Sequence, residues 1–225
     1  MSNPLARLAL RLPDFSATLG WVGQDCVLCG ARSHSRMVCG ECVASLPRFG
    51  EHVLRGNARY DGVVAAYEYR FPVDRLVQRF KYAGDLAVGR WLALELARRV
   101  HDEPRPQLLV PMPLTTARLR ERGFNQAAQV ARVVSSSLGV PLALRMVDRI
   151  RDAPSQSGLG RRARRANLRG AFRCRTPLSG RHVALVDDVI TTGASADAVC
   201  AALKRAGAAR VDVWAIARTP EPGAR

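Results

Sequence analysis

An α/β fold, with a parallel sheet covered by helices and a small four-cysteine module before it, follows from three features of the sequence. Apolar runs of strand length alternate with helix-length amphipathic segments from Val63 onward, and strands separated by helices pair in parallel through crossovers. The run Val183 to Val186 leads through an acidic pair into a small-residue loop and a further helix. Near the start, Cys26, Cys29, Cys39 and Cys42 form two CxxC pairs. A chain of 225 residues has room for one main core and one accessory module. The expected division is 1–55 for an N-terminal helix and the cysteine module, and 56–225 for the α/β domain.

The apolar stretch Leu5 to Leu12 carries Arg7 and Arg11 and ends at Pro13, which reads as a retained amphipathic helix. No run approaches the roughly 20 apolar residues that span a bilayer, and no export signal is visible, so a cytoplasmic location is expected. The two CxxC pairs have the spacing by which two tight knuckles present four thiolates to one tetrahedral metal, the pattern of a zinc ribbon. Gly30 and Gly40 each follow a cysteine, where a knuckle takes a residue tolerant of positive φ. Two disulfides in an exported domain are the alternative, and the lack of an export signal weighs against them. With four cysteine ligands no position stays open for water, so this zinc is expected to be structural. His34 is expected to be a bystander, and Cys174 and Cys200 are assigned no chemistry.

After the module, Val63 to Tyr69 reads as a strand, and Pro72 to Tyr82 as a helix opened by proline. Val88, Leu92, Leu96 and Val100 recur at a spacing of four, a second helical face that ends before Pro104. Leu108 to Val110 is a strand. Phe124 to Leu138 is an amphipathic helix closed by Gly139 and Pro141. Leu142 to Val147 reads as a weaker strand, Val183 to Val186 as a strong one ending on two carboxylates, Ala196 to Ala206 as a helix and Val211 to Ala217 as the last strand. The stretch from Arg151 to Gly170 carries arginines and glycines with little apolar periodicity, and is expected to be a mobile basic loop.

Hydrophobic residues at 48% and charged residues at 24% place the chain among folded globular proteins and exclude disordered and fibrous classes. The formal charge of +16, from 35 Lys and Arg against 19 Asp and Glu, gives a surface that attracts nucleotides, pyrophosphate compounds and nucleic acids.

The segment Val183 to Ser195 carries the most chemistry. Asp187 and Asp188, at the carboxyl edge of a parallel sheet, can accept hydrogen bonds from neighbouring sugar hydroxyls. Thr191, Thr192, Gly193, Ala194 and Ser195 offer N–H groups, hydroxyls and a positive helix end, a cradle for a phosphate monoester. Isolated, these residues would merely cap a helix. In this order they resemble the phosphoribosyl pyrophosphate signature of type I phosphoribosyltransferases, with Ser195 where threonine is usual.

The resemblance extends to the ComF/GntX family, which couples a short zinc ribbon to a type I phosphoribosyltransferase domain. It is carried also by Phe80-Lys81-Tyr82 with Gly84 and Asp85, and by Val110 to Leu114 leading to Arg120-Glu121-Arg122-Gly123-Phe124-Asn125-Gln126-Ala127. Gln156, Leu159, Arg164, Asn167 and Gly170-Ala171-Phe172 complete it. Ala153 departs from it, standing where relatives commonly have threonine. The resemblance implies a parallel-sheet phosphoribosyltransferase fold that binds phosphoribosyl pyrophosphate with Mg2+. The catalytic pair would be Asp187 and Asp188, and Lys81, Arg118, Arg120 and Arg122 are candidates to meet the pyrophosphate, where negative charge develops. The acceptor stays open. Relatives are associated with DNA uptake in natural competence. The alternative is therefore a non-catalytic accessory factor binding single-stranded DNA or DNA-uptake proteins, through Arg161, Arg162, Arg164, Arg165 and Arg169. A zinc-dependent scaffold for other proteins is a third.

Overall fold

The computed structural model describes residues 24–33, 37–50, 54–57, 60–150, 168 and 170–220. The helix expected over Leu5 to Leu12, His34 and almost all of the expected basic loop lie outside these residues. The chain divides into two units, Met1–Ser45 and Leu46–Arg225.

In the first unit a two-residue strand β1 (Gln24–Asp25) pairs antiparallel with β2 (Arg32–Ser33). The turn between them is a knuckle in which the Gly30 N–H donates to the Cys26 carbonyl at 2.9 Å, Gly30 standing at φ 71°. Gly40 behaves otherwise than expected. It follows the first cysteine of its pair and opens helix α1 (Gly40–Ser45), so Cys39 and Cys42 are brought together by a helical turn. Residues three apart on a helix share a face, which makes a second left-handed turn unnecessary.

The second unit is built on a five-stranded sheet in the order β3-β4-β9-β8-β5, formed by β3 (Leu54–Asn57), β4 (Tyr60–Glu68), β5 (Leu108–Pro111), β8 (His182–Ile190) and β9 (Arg210–Arg218). All neighbours are parallel except the edge pair β3 and β4. The inner strands are rich in Val, Ile and Ala and buried on both faces, as expected of strands covered on each side by helices. Crossovers are supplied by α2 (Val73–Tyr82), α3 (Leu86–Arg99), α5 (Gln126–Leu138) and α6 (Ala194–Arg205). On one face Val199, Cys200 and Leu203 of α6 pack over Val183, Leu185, Val211 and Val213. Trp214, 1% exposed, lines a space with Val100 and Leu138, at the ends of α3 and α5.

The predicted elements are found with shifted ends, and three readings need correction. Leu142 to Val147 is not a strand of the sheet. Leu142 makes a single parallel bridge to Leu109, the chain turns, and β6 (Val147–Arg149) pairs antiparallel with β7 (Phe172–Cys174) in a separate ribbon. Val147 and Phe172 both join the core beneath α6, and that burial decides the pairing. A helix α4 (Thr116–Arg122) was not foreseen, although Thr115 caps it by accepting from the Arg118 N–H at 3.1 Å. β8 does not end on Asp187 and Asp188 but runs to Ile190, because β9 continues beside it with Val189 opposite Ala217 and Ile190 opposite Arg218.

Candidate functional site

Asp187 and Asp188 stand at a step in the sheet. β5 ends at Pro111, opposite Val186, where the Met112 N–H donates to the Val186 carbonyl at 2.8 Å. From Asp187 onward β8 therefore runs past the end of one neighbour while staying paired to the other, at the carboxyl edge of the sheet, where ligands of open α/β sheets bind.

Among the described residues, three of the four carboxylate oxygens in this pair meet protein donors. Asp187 Oδ1 accepts from the Asp188 N–H at 2.9 Å, and Asp188 Oδ1 from the Val189 N–H at 2.7 Å. Asp188 Oδ2 is paired with Lys81 Nζ at 3.0 Å. Asp188 is buried and Asp187 half-buried. Desolvation, with the adjacent Asp188 charge, pushes Asp187 well above the usual carboxylate range, and Lys81 pulls it back only in part.

Beyond Ile190 the chain turns through Thr191, Thr192 and Gly193 into α6. Gly193 is left-handed at φ 73°, and a Cβ there would lie 3.9 Å from Tyr60 Oη, so conformation rather than space demands glycine. The Thr192 hydroxyl lies 3.5 Å from the Ala194 N–H, and Thr191 and Ser195 are exposed. The first turn of a helix leaves its N–H groups without intrahelical acceptors, so this loop presents donors and hydroxyls just beyond the acidic pair.

Lys81 comes from the last turn of α2. Phe80, beside it, is 1% exposed and packs so tightly on Gly89 of α3 that a methyl group there would collide with the ring. Phe80 also meets Phe124 at 5.6 Å between ring centroids. Of the other cations, the Arg122 guanidinium lies over the Tyr82 ring at 5.3 Å and donates to Gln126 Oε1 at 3.2 Å, while Arg118 and Arg120 are exposed on α4. Lys81 thus joins the acidic pair directly and Arg122 stands against the end of its helix, but no contact brings Arg118 or Arg120 to the pair among the described residues.

Two residues had no assigned role in the sequence reading. Asn125 Nδ2 donates to the Met112 carbonyl at 3.1 Å while its Oδ1 caps α5 at the Ala128 N–H, tying the chain after β5 to the next helix. Its cap position was a local signal. Tyr60, by contrast, reaches Gly193 from the far end of β4, and no local pattern announces that.

In the first unit the Sγ atoms of Cys26, Cys29, Cys39 and Cys42 all lie within 4.8 Å of one another, and Cys29 and Cys39 are 3.8 Å apart. Thiolates about 2.3 Å from a tetrahedral zinc lie about 3.8 Å from each other, so this cluster could hold such an ion. Desolvation works to raise the Cys26 thiol, but the N–H groups of Cys39, Cys29 and Leu28 hold it down at about 6. The Cys42 thiol is raised, mainly by its neighbour Cys39. Four crowded sulfurs cannot all ionise without a cation among them.

Residues 121–224 match the phosphoribosyl transferase domain family. Competence protein F of Haemophilus influenzae is 32% identical over 205 residues, spanning 86% of this chain and 90% of that protein. DNA utilization protein YhgH of Escherichia coli K12 is 33% identical over 201 residues, spanning 86% of this chain and 84% of that one. Among solved structures, a purine phosphoribosyltransferase from Pyrococcus horikoshii aligns with 60% of this chain and 76% of its own, at 17% identity and a TM-score of 0.40. Among the described residues no helix is long and apolar enough to cross a membrane.

Proposed function

This chain belongs to the ComF family of proteins with a phosphoribosyltransferase domain, and from that premise we propose that it binds phosphoribosyl pyrophosphate with Mg2+, to transfer or to sense the phosphoribosyl group. The observation that carries the reading is the acidic pair at the sheet step, followed at once by the left-handed Gly193 and the start of α6. Asp187 and Asp188 accept from the ribose hydroxyls. Thr191, Thr192, Gly193, Ala194 and Ser195 surround the 5-phosphate with N–H and hydroxyl donors. The carboxylates are hard oxygen donors of the kind magnesium takes, and Asp187, with only its Oδ1 engaged among the described residues, would be the one to hold it. When bound there, magnesium would supply neutralising charge to the anionic ligand. For transfer, the two aspartates hold the ring while a nucleophilic atom of the acceptor bonds to the anomeric carbon and pyrophosphate leaves with the electron pair of the broken bond, its charge offset by nearby cations.

In the first unit, Cys26, Cys29, Cys39 and Cys42 hold one structural zinc ion, which replaces the unfavourable crowding of thiols by four metal bonds. A role in handling DNA is the second reading, favoured by the names of the relatives and by a net charge of +16.

Calorimetric titration of the zinc-loaded protein tests both. Binding of phosphoribosyl pyrophosphate with Mg2+, in preference to a single-stranded oligonucleotide, is the expected result. Tight, salt-sensitive capture of the oligonucleotide with no response to phosphoribosyl pyrophosphate would overturn the first reading.

A further inference from the structure

One of the two charges of the acidic pair, that of Asp188, is already met from within the fold. Lys81 and Asp188 are mostly buried, with side chains 15% and 11% exposed, and lie 3.0 Å apart. The backbone of Lys81 is held by Phe80 against Gly89 and Phe124, so a change of partner falls to its flexible stem. A sugar hydroxyl that is to reach Asp188 Oδ2 has to displace this ammonium. A displaced and largely desolvated ammonium is unfavourable unless another anion receives it.

We propose that Lys81 is a counter-ion that changes partners, resting on Asp188 in the free protein and drawn to the pyrophosphate of the bound ligand, so that the chain selects a pyrophosphorylated pentose phosphate over the bare sugar phosphate. This rests on the reading of the site given above. The 5-phosphate is accommodated at Thr191 to Ser195, on the α6 side of the pair. A pyrophosphate at the anomeric carbon leaves the sugar on another side and gives Lys81 a new partner while Asp188 turns to the ribose. Ribose 5-phosphate offers no second anion, so its binding must either leave Lys81 unpaired or forgo Asp188.

The test uses the full chain, with ribose 5-phosphate, inorganic pyrophosphate and phosphoribosyl pyrophosphate as probes, and Lys81→Gln, Asp188→Asn and the double variant beside the natural protein. Circular dichroism and thermal melting check each fold. Asp188→Asn keeps an oxygen to accept from the Val189 N–H and puts an amide NH2 where Oδ2 faced Lys81, which frees the ammonium, so pyrophosphate is expected to bind about tenfold tighter than to the natural protein, and the double variant to lose that gain. Lys81→Gln is expected to narrow the preference for phosphoribosyl pyrophosphate over ribose 5-phosphate by about tenfold or more. A purely structural ion pair would give no gain, with pyrophosphate affinity unchanged or weaker in Asp188→Asn, and that result overturns the proposal. An unchanged preference in a folded Lys81→Gln protein overturns it too, while the site reading stands. If the natural protein binds none of the three probes, the site reading itself is lost.

Discussion

The Tyr67 hydroxyl donates to Glu95 Oε2 at 2.6 Å, joining the carboxyl end of β4 to α3 inside the core. Glu95 is 5% exposed and also paired with Arg48 at 3.1 Å and with Arg98. Arg48 in turn lies over the Tyr67 ring at 4.8 Å. Burial and the Glu95 charge raise the Tyr67 phenol far above its ordinary range, so it remains a donor throughout the working range of pH. Tyr67→Phe removes this donor from a buried carboxylate, and a loss of about 1–3 kcal/mol is expected. Urea denaturation followed by fluorescence measures it, and ligand affinity should not change.

Gly89 bears on the site through packing. A methyl group at this position meets the Phe80 ring, and Phe80 precedes Lys81. Gly89→Ala is expected to cost about 1–3 kcal/mol by overpacking. It should also weaken phosphoribosyl pyrophosphate binding, because α2 has to shift with its lysine. Calorimetry against the natural protein, at a temperature where both are folded, separates the two effects.

Asp187 makes stability depend on pH with a definite sign. Its folded pKa is raised above the unfolded value, mainly by desolvation, so its favourable contribution is fully present below the unfolded carboxylate range and is lost as pH rises through the folded pKa. Asp187→Asn mimics the neutral form. The variant is expected to be more stable than the natural protein at neutral and higher pH, with the gap closing as pH falls to the ordinary carboxylate range. Denaturant midpoints at a series of pH values test this. A variant less stable at neutral pH would contradict it. Ligand binding should weaken in the same protein, since stability and ribose recognition place opposite demands on this residue.

The cysteine cluster is expected to bind one zinc per chain, read by a colourimetric chelator after release. Cys39→Ala, which removes a sulfur central to the cluster, should abolish stoichiometric binding. Affinity should fall as pH is lowered, because thiolates bind the metal and thiols do not. Stripping the zinc should unfold the first unit, visible as increased hydrogen exchange at residues 24–33.

Much of the site was legible because its parts are local. The acidic pair, Thr191, Thr192 and Gly193 are neighbours in sequence, and a strand, a turn and a helix start each leave a mark within a few residues. The same holds for the two CxxC pairs, although the order of cysteine and glycine in the second pair misled the reading of Gly40, which opens a helix. The exact end of β8 was not legible, since it depends on how far β9 accompanies it.

By itself the sequence determined the alternation of strands and helices, the four-cysteine cluster and the run from Val183 to Ser195, because propensity, hydrophobic period and ligand spacing act over short range. The tertiary structure alone decided that β5 stops opposite Val186 and exposes the acidic pair, and that Lys81, not Arg118 or Arg120, reaches Asp188. It also placed Tyr60 beside Gly193. These relationships follow from the strand order β4-β9-β8-β5 and from the packing of Phe80 on Gly89. The first joins strands far apart in the chain and the second packs two successive helices across a turn, and the energies of both come from burial, which no local pattern of residues encodes.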